Sequence, residues 1–319
     1  KSEGEKVVMG SWLKDSLRSF SVAQKITAIV TTTSCVALLL SSTVLIGHHI
    51  TSNRVKMVED LSTLATVVGN NSEPALSDGD KDRAKHLLSA MLGNTTERAP
   101  DEYVRDLFDD YADSFEGDLV NDLNYVVPQL IKKELVLFSR KCSPWLNGQF
   151  SNALDLGCGT GLVSLAIREL VKTIAGVDLS EKMLALADSL QRYDTTYEQE
   201  MTAFLLDENM GSPKYDLIVC GDAMVYLGNL EILFLGVLKR LDPNGVFCFT
   251  LEDLRNGMFS IRRSGRYAHS QTYIKSLSKK FGFLILKTNP IVPRTDALKD
   301  IEGRIYLLAA PGHQLNKTG

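Results

Sequence analysis

Residues 154–161 read Leu-Asp-Leu-Gly-Cys-Gly-Thr-Gly, and this stretch decides the fold. Its glycines at 157, 159 and 161 follow a short apolar run and precede the helical pattern LVSLAIREL at 162–170. Glycine lets a backbone turn tightly and approach a ligand closely, while the N–H groups at the start of the next helix point to the same place. The stretch therefore predicts a strand, a glycine-rich loop and a helix around a small polar ligand.

The sequence on the carboxyl side of the loop continues as an alternation of strands and helices. The apolar run KTIAGVD ends in an acid, and the helical pattern SEKMLALADSLQ follows it with Ser180 as a natural N-cap. This alternation is typical of an α/β protein with a doubly wound parallel sheet. The last two strand candidates, FLILKTN and RIYLLAA, have no helix between them, so we expect them to be antiparallel to each other.

A second acid indicates which kind of ligand the loop takes. Asp178 ends the second strand, 21 residues after Gly157, where a carboxylate can accept hydrogen bonds from both hydroxyls of a ribose. NAD and S-adenosylmethionine are the two alternatives. The dinucleotide fingerprint is G-x-G-x-x-G, whereas this loop runs G-x-G-x-G and has Asp155 inside the preceding strand. A carboxylate there would repel a pyrophosphate and suit the ammonium of a methionine, which favours S-adenosylmethionine.

Four segments carry a resemblance to a known family. They are LDLGCGTG, GVDLS, YDLIVCGDAMVYLGNL and LKRLDPNGVFCFTLE. Over residues 103–310 the chain resembles the class I S-adenosylmethionine-dependent methyltransferases, and more narrowly the bacterial ones that often carry tetratricopeptide repeats. The resemblance implies a Rossmann-like sheet of seven strands and methyl transfer as the activity.

The same resemblance implies roles for single residues. Asp155 and the loop residues Gly157, Cys158 and Gly159 would hold the methionine end, and Asp178 the ribose. Leu179 and Met183 would pack on the adenine, and Glu200 or the backbone near Met201 and Thr202 would receive its amino group. Asp222 would lie near the transferable methyl group. Tyr111, on the lead segment, either closes over the cofactor or packs with Leu107 and Phe108.

The acceptor side has fewer signals. A base is needed only when the acceptor is a hydroxyl, a protonated amine or a carbon acid. Tyr226 and His269 are the candidate catalytic residues, and Arg266 and Tyr267 are the candidate substrate-binding residues. The basic cluster around Arg266 would suit a carboxylate or phosphate, although a solvated loop would give the same pattern.

The N-terminal part has a different composition. Residues 26–47 contain no charged side chain, and a helix of that length, about 33 Å, would cross a bilayer; a buried helix or a secretory signal is the alternative. We expect a juxtamembrane lead at 1–25, a transmembrane helix at 26–47, a helical stalk and linker at 48–99, and the methyltransferase domain at 100–319. Part of the stalk resembles the extracytoplasmic segment of bacterial CHASE-type sensors.

Charge and topology limit the partners and the location. The formal net charge of −4 leaves no basic surface for nucleic acid, so we expect a small-molecule acceptor, and no metal-binding motif is present. Basic residues flanking the span number three before it and two after it, which would place the domain outside. Because S-adenosylmethionine is a cytoplasmic metabolite, we expect the catalytic domain on the cytoplasmic side. The alternatives are a membrane signalling protein with a nonenzymatic methyltransferase-like domain and an NAD-dependent oxidoreductase.

Overall fold

The computed structural model describes residues 78–112, 125–141, 149–210, 213–296 and 299–312. These residues belong to one compact unit. The predicted lead and transmembrane helix, and the stalk up to residue 77, lie outside the described residues. None of the helices that the structure describes combines the length and the apolar composition that a bilayer span requires.

Helices and strands alternate along most of the unit. The helices are α1 Asp78–Leu92, α2 Asp101–Tyr111, α3 Val127–Lys141, α4 Leu162–Ile167, α5 Glu181–Ser189, α6 Met201–Leu206, α7 Glu231–Arg240 and α8 Gln271–Phe281. The strands are β1 Phe150–Leu156, β2 Val171–Asp178, β3 Thr195–Glu198, β4 Tyr215–Cys220, β5 Leu241–Leu254, β6 Phe259–Ile261, β7 Tyr267–Ser270, β8 Leu284–Ile291, β9 Thr295–Asp296, β10 Lys299–Asp300 and β11 Gly303–Ala309.

Seven of the strands form the main sheet in the order β3-β2-β1-β4-β5-β11-β8. Strands β1 to β5 are parallel, and β11 is antiparallel to both β5 and β8. The predicted antiparallel pairing of the last two strands is therefore confirmed. The sheet is mixed rather than parallel throughout, and it has nine strands, because β7 and β6 extend it beside the end of β5.

Both faces of the sheet are covered, as the alternation of the strands requires. Leu154 and Leu156 on β1 belong to one buried cluster, whereas Phe150 and Ala153 belong to the other. Successive side chains of a strand point to opposite faces, so each strand contributes to two cores. One core includes α6, α7 and α8, and the other includes α3 and α4, which is the doubly wound arrangement expected from the sequence.

Helix α1 and the segment after it belong to this unit. The Nε2 atom of His86 on α1 lies 3.0 Å from the carbonyl oxygen of Gly265, and its ring lies 4.9 Å from that of Tyr103 on α2. The amide N–H of Ala99 donates to the carbonyl of Tyr226 at 2.9 Å. His86 and Ala99 belong to the predicted stalk and linker, and they contact residues of the domain that the sequence predicts to start at residue 100.

Candidate functional site

The glycine-rich loop turns sharply between β1 and α4. Gly157, Gly159 and Gly161 have φ values of +64°, +52° and +91°, which are left-handed conformations that favour glycine. A Cβ atom at Gly157 would lie 2.2 Å from the Cβ atom of Ala223 in the loop after β4. The two loops therefore approach each other so closely at Gly157 that no side chain fits between them.

Asp178 is fixed at the end of β2 by this loop. Its Oδ2 atom accepts the N–H of Gly159 at 2.7 Å, and its Oδ1 atom accepts the N–H of Ser180 at 3.0 Å. Burial raises the pKa of Asp178, and the backbone N–H groups oppose that shift. A carboxylate has about four acceptor positions, and these N–H groups, with that of Leu179, leave at least one of them for a ligand.

A cavity of about 380 Å³ opens at the carboxyl ends of β1, β2 and β4. Ligands of open α/β sheets bind outside the carboxyl ends of the strands. Nine of the residues that the sequence predicts for the site line this one cavity: Tyr111, Gly157, Gly159, Asp178, Leu179, Met201, Asp222, Tyr226 and Arg266. The structure thus brings both predicted halves, for cofactor and for acceptor, into one space.

Helix α2 covers the side of the cavity formed by β2. Its Asp109 accepts a hydrogen bond from the hydroxyl of Ser180, and the Nε atom of Arg105 donates to the carbonyl of Leu179 at 3.4 Å. Tyr111 lies at the end of this helix and lines the cavity, as do Leu107 and Phe108. Tyr111 therefore lies in the cavity wall beside Leu107 and Phe108, where it can both cover a cofactor and pack against these residues.

Glu200 lies at the far end of this wall. Its Oε2 atom caps α6 by accepting the N–H groups of Thr202 and Ala203, each at 2.9 Å. Its Oε1 atom lies 3.5 Å from a guanidinium nitrogen of Arg98, which also pairs with Asp101. Arg98 lies in the segment predicted as a linker, and nothing in its sequence context indicated a place in the site.

A buried ion network lies on the other side of the cavity. The guanidinium of Arg294 bridges the carboxylates of Asp222 and Glu252, and all three side chains are largely buried. Asp222 has a φ of +60°, and its N–H donates to the hydroxyl of Thr250 at 2.9 Å. Sequence reasoning missed Arg294 and Glu252, because the pairing joins residues 72 and 42 positions apart.

Tyr226 and Arg266 meet at the outer wall. The Nε atom of Arg266 lies 3.5 Å from the hydroxyl of Tyr226, whose ring packs edge-on against Phe108 with centroids 5.5 Å apart. Burial lowers the pKa of Arg266, but the interactions with Tyr226, through its hydrogen bond, and with the carboxylates of Asp222 and Glu252 raise it by more. The guanidinium therefore stays charged.

Comparison with known proteins agrees with this geometry. Residues 154–247 match the family model described as a methyltransferase domain. The chain carries a class I S-adenosylmethionine-dependent methyltransferase domain. It is 29% identical over 159 residues to a malonyl-acyl-carrier-protein O-methyltransferase of Enterobacter lignolyticus, covering 47% of this chain and 61% of that protein. It is 31% identical over 114 residues to a ubiquinone biosynthesis O-methyltransferase of Burkholderia vietnamiensis, covering 34% of this chain and 48% of that protein.

The chain thus covers less than two thirds of each of these relatives. Among solved structures, the 4+2 cyclase SpnF superposes with a TM-score of 0.52 at 15% identity, covering 68% of this chain and 98% of that one. This likeness supports the fold of the methyltransferase domain. Because a cyclase shares it, the fold alone does not give the reaction.

Three residues predicted to bind the cofactor lie behind the cavity wall of the methyltransferase domain. Asp155 is 1% exposed, and its Oδ2 atom accepts the hydroxyl of Tyr193 at 2.7 Å. Cys158 and Met183 are also buried, Met183 completely. None of the three lines the cavity. The prediction that Asp155, Cys158 and Met183 contact the cofactor directly is therefore corrected. These side chains lie in the core, where they support the loop and α5.

The two predicted residues on β7 also lie elsewhere. His269 is 1% exposed and its Nε2 atom lies 2.9 Å from the carbonyl of Gly228; burial lowers the pKa of His269 to about 4. Tyr267 is fully buried, with its hydroxyl on that of Thr96. Neither lines the cavity. The predicted catalytic role of His269 and substrate contact of Tyr267 are corrected to packing roles, because all four residues of β7 are buried.

The arrangement fits an organic cofactor. Among the residues that the structure describes, no group of three or more His, Cys, Asp or Glu side chains has the geometry of a metal site. The loop at Gly157, where a side chain would obstruct the space, fits the methionine part of S-adenosylmethionine, and the remaining acceptor capacity of Asp178 fits the ribose.

Proposed function

We propose that this protein transfers the methyl group of S-adenosylmethionine to a small-molecule acceptor, with an oxygen atom as the acceptor atom. The observation that carries the proposal is the meeting of the glycine loop and Asp178 in one cavity with Tyr226 and Arg266. Support for an oxygen acceptor comes from the O-methyltransferase names of both relatives.

The residues around the cavity would bind and orient rather than carry out elaborate acid–base chemistry. S-adenosylmethionine supplies a methyl group already activated on a sulfonium. Asp178 would accept hydrogen bonds from the ribose hydroxyls, and Glu200 lies where it would meet the adenine. Tyr226, at the border with the apolar wall, would orient the acceptor hydroxyl by a hydrogen bond at Oη, and the hydroxyl proton would pass to water as the methyl–oxygen bond forms and the methyl–sulfur bond breaks. Leu107 and Phe108 would exclude water, which leaves positioning as the main contribution.

Calorimetric titration of the intact chain tests this proposal. We expect S-adenosylmethionine and S-adenosylhomocysteine to bind and NAD not to bind. Asp178→Ala removes the charged acceptor for the ribose and its hydrogen bond to the glycine loop at Gly159, so the affinity should fall by about 100-fold. Glu181→Ala is the matched control, since this carboxylate lies three residues away and is exposed. Equal affinity of the wild type and Asp178→Ala would contradict the proposal, and absence of binding would favour a nonenzymatic domain.

We also propose that residues 26–47 anchor the domain to a membrane with its active site on the cytoplasmic side. The uncharged run of 22 residues and the cytoplasmic source of S-adenosylmethionine support this. C-terminal fusions to a reporter active only in the cytoplasm and to one active only outside it would test the orientation. The cytoplasmic reporter should be active and the fusion should sediment with membranes. Deletion of residues 26–47 should release it, and an active external reporter would reject the proposed side.

A further inference from the structure

Three arginines line the cavity, and two of them have carboxylate partners. Arg98 pairs with Asp101 and Glu200, and Arg294 pairs with Asp222 and Glu252. Arg266 differs from both: within the described part of the chain, no carboxylate oxygen lies within 4 Å of its guanidinium. A guanidinium has five N–H donors, and the hydrogen bond from Arg266 to Tyr226 involves one of them, at 3.5 Å.

The backbone holds Arg266 firmly in this place. It ends a tight turn in which the N–H of Arg262 donates to the carbonyl of Arg266 at 2.7 Å and the N–H of Gly265 donates to the carbonyl of Arg262 at 2.9 Å. The carbonyl of Gly265 in turn contacts Nε2 of His86 on α1. In this turn Arg262 and Arg263 are exposed, whereas Arg266 is directed into the cavity.

The charges nearby do not satisfy this cation. Asp222 and Glu252 attract it from a distance, but both carboxylates are bridged by Arg294. Holding a largely buried guanidinium without a direct counter-ion is costly. The site is therefore complementary to an anion that would enter the cavity and accept several N–H groups at once, as carboxylates and phosphates do.

The surfaces beside Arg266 are apolar. Phe108 and Tyr226 form an edge-to-face pair, and Val104, Leu107 and Leu227 line the same space. Aromatic rings favour this offset or edge-on packing with other rings. A ligand whose acidic group reaches Arg266 would thus place an aromatic or other apolar body against this wall.

We propose that Arg266 anchors the acidic group of the methyl acceptor, whose remaining body is aromatic or apolar. This inference rests on the proposed function and adds the substrate class to it. The acidic group is an oxyanion, either carboxylate or phosphate, and it serves as the anchor, while Tyr226 contacts the part of the acceptor nearer the cofactor.

Matched probes test the anchor on the intact chain saturated with S-adenosylhomocysteine. Phenylacetate and phenylacetamide share a shape and differ in charge, and phenyl phosphate distinguishes the two oxyanions. We expect the tighter of the two anions to bind at least about 10-fold more strongly than the amide, as a charge-assisted pair predicts. Arg266→Gln should abolish this preference, and Arg266→Lys should restore part of it. Arg263→Gln, an equal change of charge on the exposed side of the same turn, should leave it intact.

Two results would overturn the anchor: equal binding of acid and amide to the wild type, including no binding of either, or a preference that survives in Arg266→Gln. S-adenosylhomocysteine binding is measured first in every variant. If the proposed function is wrong, the wild type does not bind this nucleoside, and the anchor proposal is then wrong as well. If only the anchor proposal is wrong, the wild type binds S-adenosylhomocysteine but does not distinguish the acid from the amide.

Discussion

Replacement of Asp155 by asparagine should remove a pH dependence from the stability of this protein. Asp155 is completely enclosed beneath the glycine loop, with one hydrogen bond from Tyr193. Burial raises the pKa of Asp155 from 3.8 to about 7, with a smaller contribution from Asp178, while the bond from Tyr193 opposes the shift. The folded chain therefore keeps a proton on this carboxyl in a range where the unfolded chain has lost it.

The size and sign of the effect follow from this shift. Between about pH 4 and pH 7 unfolding releases the proton of Asp155, so the free energy of unfolding falls as the pH rises. At 1.36 kcal/mol for each pKa unit, the full loss is about 4 kcal/mol. Asparagine resembles the protonated carboxyl and has no such loss. Asp155→Asn should therefore match the wild type at pH 4 and be more stable by about 4 kcal/mol at pH 8.

Urea titrations followed by circular dichroism at pH 4, 6 and 8 would measure the difference between the two proteins. Tyr193→Phe provides a second check, because loss of its hydrogen bond should move the pH window upward. A stability difference between Asp155→Asn and wild type that is the same at pH 4 and pH 8 would refute the reasoning.

Three further substitutions test other parts of the fold. Gly157→Ala places a Cβ atom 2.2 Å from that of Ala223, so calorimetry should show loss of S-adenosylhomocysteine binding, whereas Gly257→Ala, with no atom nearer than 4.0 Å, should bind normally. Arg294→Met leaves the two carboxylates that it bridges buried without a cation, and urea titration should show a loss of about 3–5 kcal/mol. Ser180→Ala removes the N-cap of α5 and should cost about 1 kcal/mol in thermal unfolding; unchanged stability would contradict either assignment.

The strands, the glycine loop and Asp178 were predictable because their signals are local. Ser180 caps α5 as predicted, by accepting the N–H of Met183, and the apolar runs became the strands of the main sheet. Local alternation also fixes which side chains face each core. What it does not fix is which buried polar residue reaches the cavity, and this explains the errors at Asp155 and His269.

The ion network shows the other limit. Arg294 follows β8 and Asp222 follows β4. They meet because both strands end at the same edge of the sheet: β11 is antiparallel to β5 and to β8, so β8 runs in the direction of β4. Arg98 likewise reaches Glu200 through tertiary packing. Residues that pair across so many positions leave no periodic pattern in the sequence. Such pairs can therefore be identified only once the strand order is known.

The seating of α2 has a consequence for the rate of turnover. Near the turn that carries Asp178 this helix is held by the contact of Asp109 with Ser180 and by a 3.4 Å hydrogen bond from Arg105, yet it forms a wall of the cavity. A nucleoside that leaves on this side can pass only after α2 has moved. We then expect the residence time of the spent cofactor, and with it the number of catalytic cycles per second, to depend on the contacts of α2 with Leu179, Ser180 and Lys182.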